Sequence, residues 1–206
     1  MYPTINLGPI KTSKIELIDI TKAWLAISLA FTFAFMGINL MRGNFQEVLS
    51  AKFPFMLGIS LFTAGIGFLL HELAHKFTAQ HYGCVAEFRA LDQMLYLAVG
   101  LAAIVGFIFA APGAVMISGM ITRKENGIIS LAGPLTNYVL ASIFIGLSLL
   151  LPAYLFIWQN GIFINFWLGL FNMIPFGNFD GIKIFHWNKI VWVTMAAIGV
   201  YFSFFW

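Results

Sequence analysis

Charge is scarce in this chain. Eleven Lys or Arg and 8 Asp or Glu are spread over 206 residues, 9% of the total, while 61% are hydrophobic. A soluble domain of this size needs far more charged surface, so the composition is that of an integral membrane protein. Cysteine is limited to Cys84, which excludes an intramolecular disulfide and any cysteine-built zinc cage. No repeat at a fixed period and no low-complexity tail is present. The net charge of +3 is small and scattered, which argues against a nucleic-acid partner. No hydrophilic block stands apart from the apolar runs, so one membrane domain over 1–206 is expected. Lys11, Glu16, Asp19 and Lys22 precede the first long apolar run, which reads as a retained span and not a cleaved signal peptide.

What is abundant is apolar sequence. Runs lie at about 23–41, 53–70, 94–113, 128–150, 162–176 and 190–206, most near the roughly 20 residues that a helix needs to cross a bilayer. The 23 Phe and 6 Trp suit lipid-facing and interfacial positions. The expected fold is an all-α polytopic membrane protein of five to six transmembrane helices. A short extended or β segment is expected near 112–120.

Basic residues distinguish two topologies. If all six runs cross, five Lys or Arg fall on one side and six on the other. If 94–113 instead dips in and returns, the division becomes nine against two, with Arg42 and Lys52 alone outside. The positive-inside rule favours the second arrangement. There, Leu95–Phe109 forms a short helix, Ala110-Ala111-Pro112-Gly113 breaks it, and 114–118 returns in extended form. Such backbone is tolerated at membrane depth only against protein or a water-filled cavity.

Directly after the uncharged stretch Phe53–Leu70 comes His71-Glu72-Leu73-Ala74-His75. On a helix, two histidines four apart lie about 40° apart and one turn up, so both imidazoles can face one metal ion. Glu72 between them is placed to take a proton from a metal-bound water. Ionisable groups beside a membrane span are costly and point to function.

A catalytic zinc takes three protein ligands and keeps a position open. His81 has metzincin spacing after His75, but Thr78 stands where that turn needs glycine. A continuous helix would carry His81 about 15 Å along the axis from His71. Asp180 is the stronger candidate, in Asn172-Met-Ile-Pro175-Phe-Gly177-Asn178-Phe-Asp180-Gly181. Pro175 ends regular helix, and Gly177 and Gly181 relieve the backbone so that the carboxylate can turn inward on an unwound segment. In the nine-to-two topology Asp180 emerges on the same cytosolic side as the histidines. His186 reads as an interfacial residue or a second layer around the ligands. Gly133 and Asn137, one turn apart, suit close helix packing and an interhelical hydrogen bond.

Three motifs now stand in order: His71-Glu72-x-x-His75, Ala132-Gly133-Pro134-Leu135-Thr136-Asn137, and Asn172-x-x-Pro175…Asp180-Gly181. Together the chain resembles the site-2 protease family of intramembrane zinc metalloproteases, over a catalytic core of about 55–182. The resemblance implies one zinc ion held by His71, His75 and Asp180, with Glu72 as general base. It implies that Gly113, Ala114 and Val115 belong to a membrane-associated strand offering an edge to unwound substrate, and that Asn137 engages substrate backbone. It also implies a membrane-protein substrate with a transmembrane helix, and a site in a prokaryotic cell membrane opening toward the cytosol. Gly177 stands where the family usually has a second proline, and no PDZ or CBS module is visible. The competing reading is a divalent-metal transporter or channel, since intramembrane His and acidic residues also mark ion paths. Such proteins often show internal repeats and several polar clusters, whereas this chain shows one cluster and no repeat.

Overall fold

The computed structural model describes residues 4–7, 10–106 and 113–205. In chain order these form β1 (Thr4–Leu7), β2 (Ile10–Ser13), α1 (Lys14–Phe35), α2 (Lys52–Ser60), α3 (Ile66–His81), β3 (Val85–Ala90) and α4 (Asp92–Val105). Then follow β4 (Gly113–Ser118), α5 (Arg123–Leu150), α6 (Leu155–Asn172), α7 (Asp180–Trp187) and α8 (Lys189–Phe204). Among the described residues four helical stretches are long and apolar enough to cross a membrane: Lys14–Arg42, Lys52–His81, Arg123–Leu150 and Pro152–Asn172. The protein is an all-α polytopic membrane protein carrying two small strand pairs, β1 with β2 and β3 with β4.

Two of the six apolar runs form shorter helices. Helix α8 has 16 residues and α4 has 14. At 1.5 Å per residue α4 is about 21 Å long, short of a hydrocarbon core of about 30 Å. It ends at Gly106, whose φ of 74° is the left-handed conformation that closes helices. This is earlier than the expected end at Phe109, and the expected break at Ala110–Pro112 lies outside the described residues. The extended return is present as β4, which pairs with β3.

The chain divides into two compact units. The first contains residues 1–66 and 87–116. Here Ser13 caps α1 by accepting the Glu16 N–H at 3.2 Å. The buried Glu16 carboxylate accepts from Thr12 Oγ1 at 2.7 Å and from the Phe88 N–H of β3 at 2.8 Å. Lys22 ties α1 to the start of α4, with Nζ 3.0 Å from Asp19 and 2.6 Å from Asp92. At the other end Asn39 Nδ2 donates to the Val105 carbonyl at 2.8 Å, and Ala30, Phe33, Ile38 and Ala102 form a buried cluster.

Between α2 and α3 the backbone widens into a π-helical turn at Leu61–Gly65. Such a turn leaves carbonyls without their helical partners, and Trp24 Nε1 donates to the Leu61 oxygen at 3.1 Å. Gly65 is required here, because a Cβ would lie 2.4 Å from Ser28 Oγ and 2.6 Å from the Trp24 ring.

The second unit contains residues 67–86 and 117–206. Helix α5 starts with a reciprocal capping box between Thr122 and Glu125. It packs on α6 and α7 around Tyr138, Ala141, Phe144, Trp158, Ile162, Phe166, Met173 and Ile184. Tyr138 donates to the Met195 carbonyl of α8 at 3.0 Å, and Phe166 stacks on Phe202 with centroids 4.4 Å apart.

Gly65→Ala is expected to lower the thermal midpoint, with an overpacking cost of about 1–3 kcal/mol. Gly58→Ala on α2 adds a methyl with nothing within 4 Å and should be neutral or stabilising by up to about 1 kcal/mol. Thermal unfolding of both variants in detergent measures the difference.

Candidate metal centre

His71 and His75 lie on α3 one turn apart, so a continuous helix presents both rings to one side. Asp180 opens α7, where a carboxylate also complements the positive end of the helix dipole. Asp180 Oδ2 is 3.3 Å from His71 Nε2 and 3.0 Å from His75 Nε2, and the two Nε2 atoms are 3.0 Å apart. All three side chains are buried. A tetrahedral ion with ligands at 2.0–2.2 Å needs donors separated by about 3.3 Å, so the cluster fits zinc. His71, His75 and Asp180 form a possible metal-binding site. Burial alone would raise the Asp180 carboxyl; protonated His75 and His71 rings beside it act the other way and hold it below the usual carboxylate range.

The local sequence explains how Asp180 arrives. Gly177 has a φ of 65°, a conformation open to glycine and closed to proline. A proline at position 177 could not adopt this path, so the turn into Asp180 depends on the glycine there. Gly181 serves a different need from the one expected of it. Its backbone is helical, but a Cβ would lie 2.2 Å from the Met173 carbonyl oxygen at the end of α6. Close approach of α7 to α6 therefore requires it. Asp180 itself stands in the first turn of a helix, and not on an unwound segment.

The rings are oriented from behind. His75 Nδ1 donates to the Ile129 carbonyl at 2.7 Å. His71 Nδ1 lies 2.6 Å from Asn137 Oδ1. A carbonyl oxygen can only accept, so each histidine carries a proton on Nδ1, which leaves Nε2 as the ring nitrogen available to an ion. Carbonyls and amides in this position are the usual partners of metal-binding histidines. Asn137 is fully buried, and its amide, expected to meet substrate, is engaged with His71. Glu72 is half-buried and within electrostatic reach of His71, His75, Asp180 and Lys183. Gly113, Ala114 and Val115 begin β4 and belong to the first unit, whereas the three cluster residues belong to the second.

His81 ends α3 exposed, with its ring against Tyr82, and His186 is exposed beside Phe185. Neither joins the cluster. By spacing alone Gly133 suits helix packing. A Cβ there would lie 2.4 Å from His75 Nε2 and 2.6 Å from His71 Nε2, in the space an ion would use. Its spacing to Asn137 placed both on one helix face, but nothing in the sequence said what that face meets. Asn165 and the Ile129 carbonyl likewise carried no signal beyond one amide in an apolar run.

Gly133→Ala is expected to abolish stoichiometric zinc binding. Gly146→Ala on the same helix, where a Cβ meets nothing within 4 Å, should leave it intact. Metal content of the purified variants checks both.

No family profile matches the chain, and no solved structure does. A protein of Methanocaldococcus jannaschii named "Putative zinc metalloprotease" is 40% identical over 193 residues, which cover 91% of this chain and 93% of that protein. That name and the ligand chemistry point to the same ion. At this identity and coverage, a chain with two imidazoles and a carboxylate converging beside a Glu belongs to the zinc metalloprotease family of that protein.

Proposed function

We propose that the protein is an intramembrane zinc metalloprotease of the site-2 type, hydrolysing peptide bonds within or near transmembrane segments of membrane-protein substrates. The observation that carries the reading is the buried His71–His75–Asp180 cluster, whose two histidines stand on a helical stretch, Lys52–His81, long and apolar enough to cross a bilayer. A soluble protease has no need to mount its ligands there. A metal transporter would need further polar stations along a route, and among the described residues the one His/Cys/Asp/Glu group able to hold an ion is this one.

In this mechanism His71, His75 and Asp180 hold the ion. Zinc bound there supplies a Lewis acid and lowers the pKa of its water to about 7. Glu72 takes the proton from the attacking water and passes it to the departing amine. Gly133 keeps the space beside the two imidazole Nε2 atoms free of a side chain, where an ion held by these residues would need room. A helical substrate hides its carbonyls in its own hydrogen bonds and must unwind to react. Gly113, Ala114 and Val115 of β4 would receive the unwound segment by strand addition. The buried Glu16 carboxylate already occupies the Phe88 N–H on β3, which directs addition to the β4 side. Asn137 serves the histidine. The nine-to-two division of basic residues supports a site opening toward the cytosol of a prokaryotic cell.

Glu72→Gln should keep zinc at one ion per chain while hydrolysis of single-pass membrane peptides falls about 10²–10⁴-fold. Cleavage that survives both this substitution and a chelator would overturn the reading. Asp180→Asn should reduce zinc occupancy, and His81→Ala should not.

A further inference from the structure

Asn165 lies in the middle of α6, fully buried, an amide in an otherwise apolar stretch. Polar groups are expensive at such positions unless they are satisfied, and this one is satisfied at both ends. Its Nδ2 donates to the Gly161 carbonyl at 2.9 Å, and its Oδ1 accepts from Asn137 Nδ2 at 3.0 Å. Asn137 Nδ2 donates also to the Gly67 carbonyl at 3.1 Å, one turn before His71 on α3. Asn137 Oδ1 then faces His71 Nδ1 at 2.6 Å.

The direction of this chain of hydrogen bonds is fixed at its origin. The Gly161 and Gly67 carbonyls can only accept, so each must meet an amide nitrogen. Asn165 must therefore turn its oxygen to Asn137, and Asn137 must turn its oxygen to His71. Reversing either amide would set oxygen against oxygen in a buried site. Gly67 makes room for the arrangement, since a Cβ there would lie 2.4 Å from Asn165 Oδ1.

We propose that Asn165 is a positioning residue for the metal centre: through the Asn137 amide it locks His71 in the Nδ1–H tautomer, with the Nε2 lone pair aimed at the ion. It touches neither ligand atoms nor substrate and acts two hydrogen bonds away. The role rests on the metalloprotease reading of the site, but the tautomer can be measured without metal or substrate.

The test uses the full chain in detergent, labelled with ¹⁵N-histidine; with four histidines in the sequence, His71→Gln assigns the His71 ring signals. In metal-free wild type, His71 is expected in the Nδ1–H form. Asn165→Leu should populate the Nε2–H form and weaken zinc binding about tenfold, the low end of the range for partners behind a ligand. Gln159→Leu, at an exposed position of the same helix, should change neither. If Asn165→Leu does not fold, Asn165→Ala is read in its place. An Asn165 variant that folds with the wild-type tautomer and zinc affinity overturns the proposal. Loss of stability alone, with both readouts unchanged, also overturns it. If zinc affinity and tautomer respond as expected but wild type hydrolyses no peptide, the protease reading fails and the positioning role stands.

Discussion

Three electron-rich atoms are held within 3.0–3.3 Å of one another in the interior of the second unit. Two imidazole lone pairs and a carboxylate oxygen at that separation repel unless a proton or a metal cation stands between them, and burial removes the water that would soften the repulsion. The rest of the unit makes sense as the framework that forces this meeting. α3 supplies the histidines at a helical spacing, and α7 brings the carboxylate against them. Gly133 on α5 withholds the side chain that would fill the gap. Gly181 lets α7 begin hard against the end of α6, which sets where Asp180 can reach.

Backbone carbonyls do much of the orienting. Ile129 fixes His75 directly, while Gly67 and Gly161 fix His71 through two asparagines. A carbonyl cannot rotate or titrate, so a site anchored on it keeps its geometry as side chains fluctuate. In an apolar helix bundle this also keeps the polar content small. Asn137 and Asn165, buried among apolar side chains, each have nitrogen and oxygen engaged in hydrogen bonds.

The first unit shows the same economy. Its buried Glu16 takes the Thr12 hydroxyl and the Phe88 N–H, joining the start of α1 to a strand distant in sequence. Trp24 takes the carbonyl exposed by the π-helical turn before α3. Irregular backbone in this chain is thus accompanied by a specific donor or acceptor, as an environment with little water demands.

Much was legible in the sequence because it is local. Scarcity of charge and length of apolar runs determined a polytopic helical protein, since a bilayer leaves few ways to satisfy a backbone. The His71–His75 spacing determined that two ligands share a helix face, because that follows from 3.6 residues per turn. Pro175 and Gly177 marked the break before Asp180, though not its form: Gly177 supplies a left-handed turn, and Asp180 starts a helix.

Other features depend on distances across the fold. Whether Gly133 was packing or part of the site turned on what faces it, and only the folded chain puts two imidazole nitrogens within 2.6 Å of its missing Cβ. The spacing of Asn137 suits an interhelical hydrogen bond without naming its partner, and only the folded chain puts its oxygen on His71 and its nitrogen on Gly67 and Asn165. Asn165 is an amide among apolar residues, and no local pattern connects positions 67, 137 and 165. The sequence by itself determined the ligand chemistry and the membrane; the tertiary structure decided which carboxylate completes the set and which neighbours aim it, because hydrogen bonds between distant segments leave no periodicity to read.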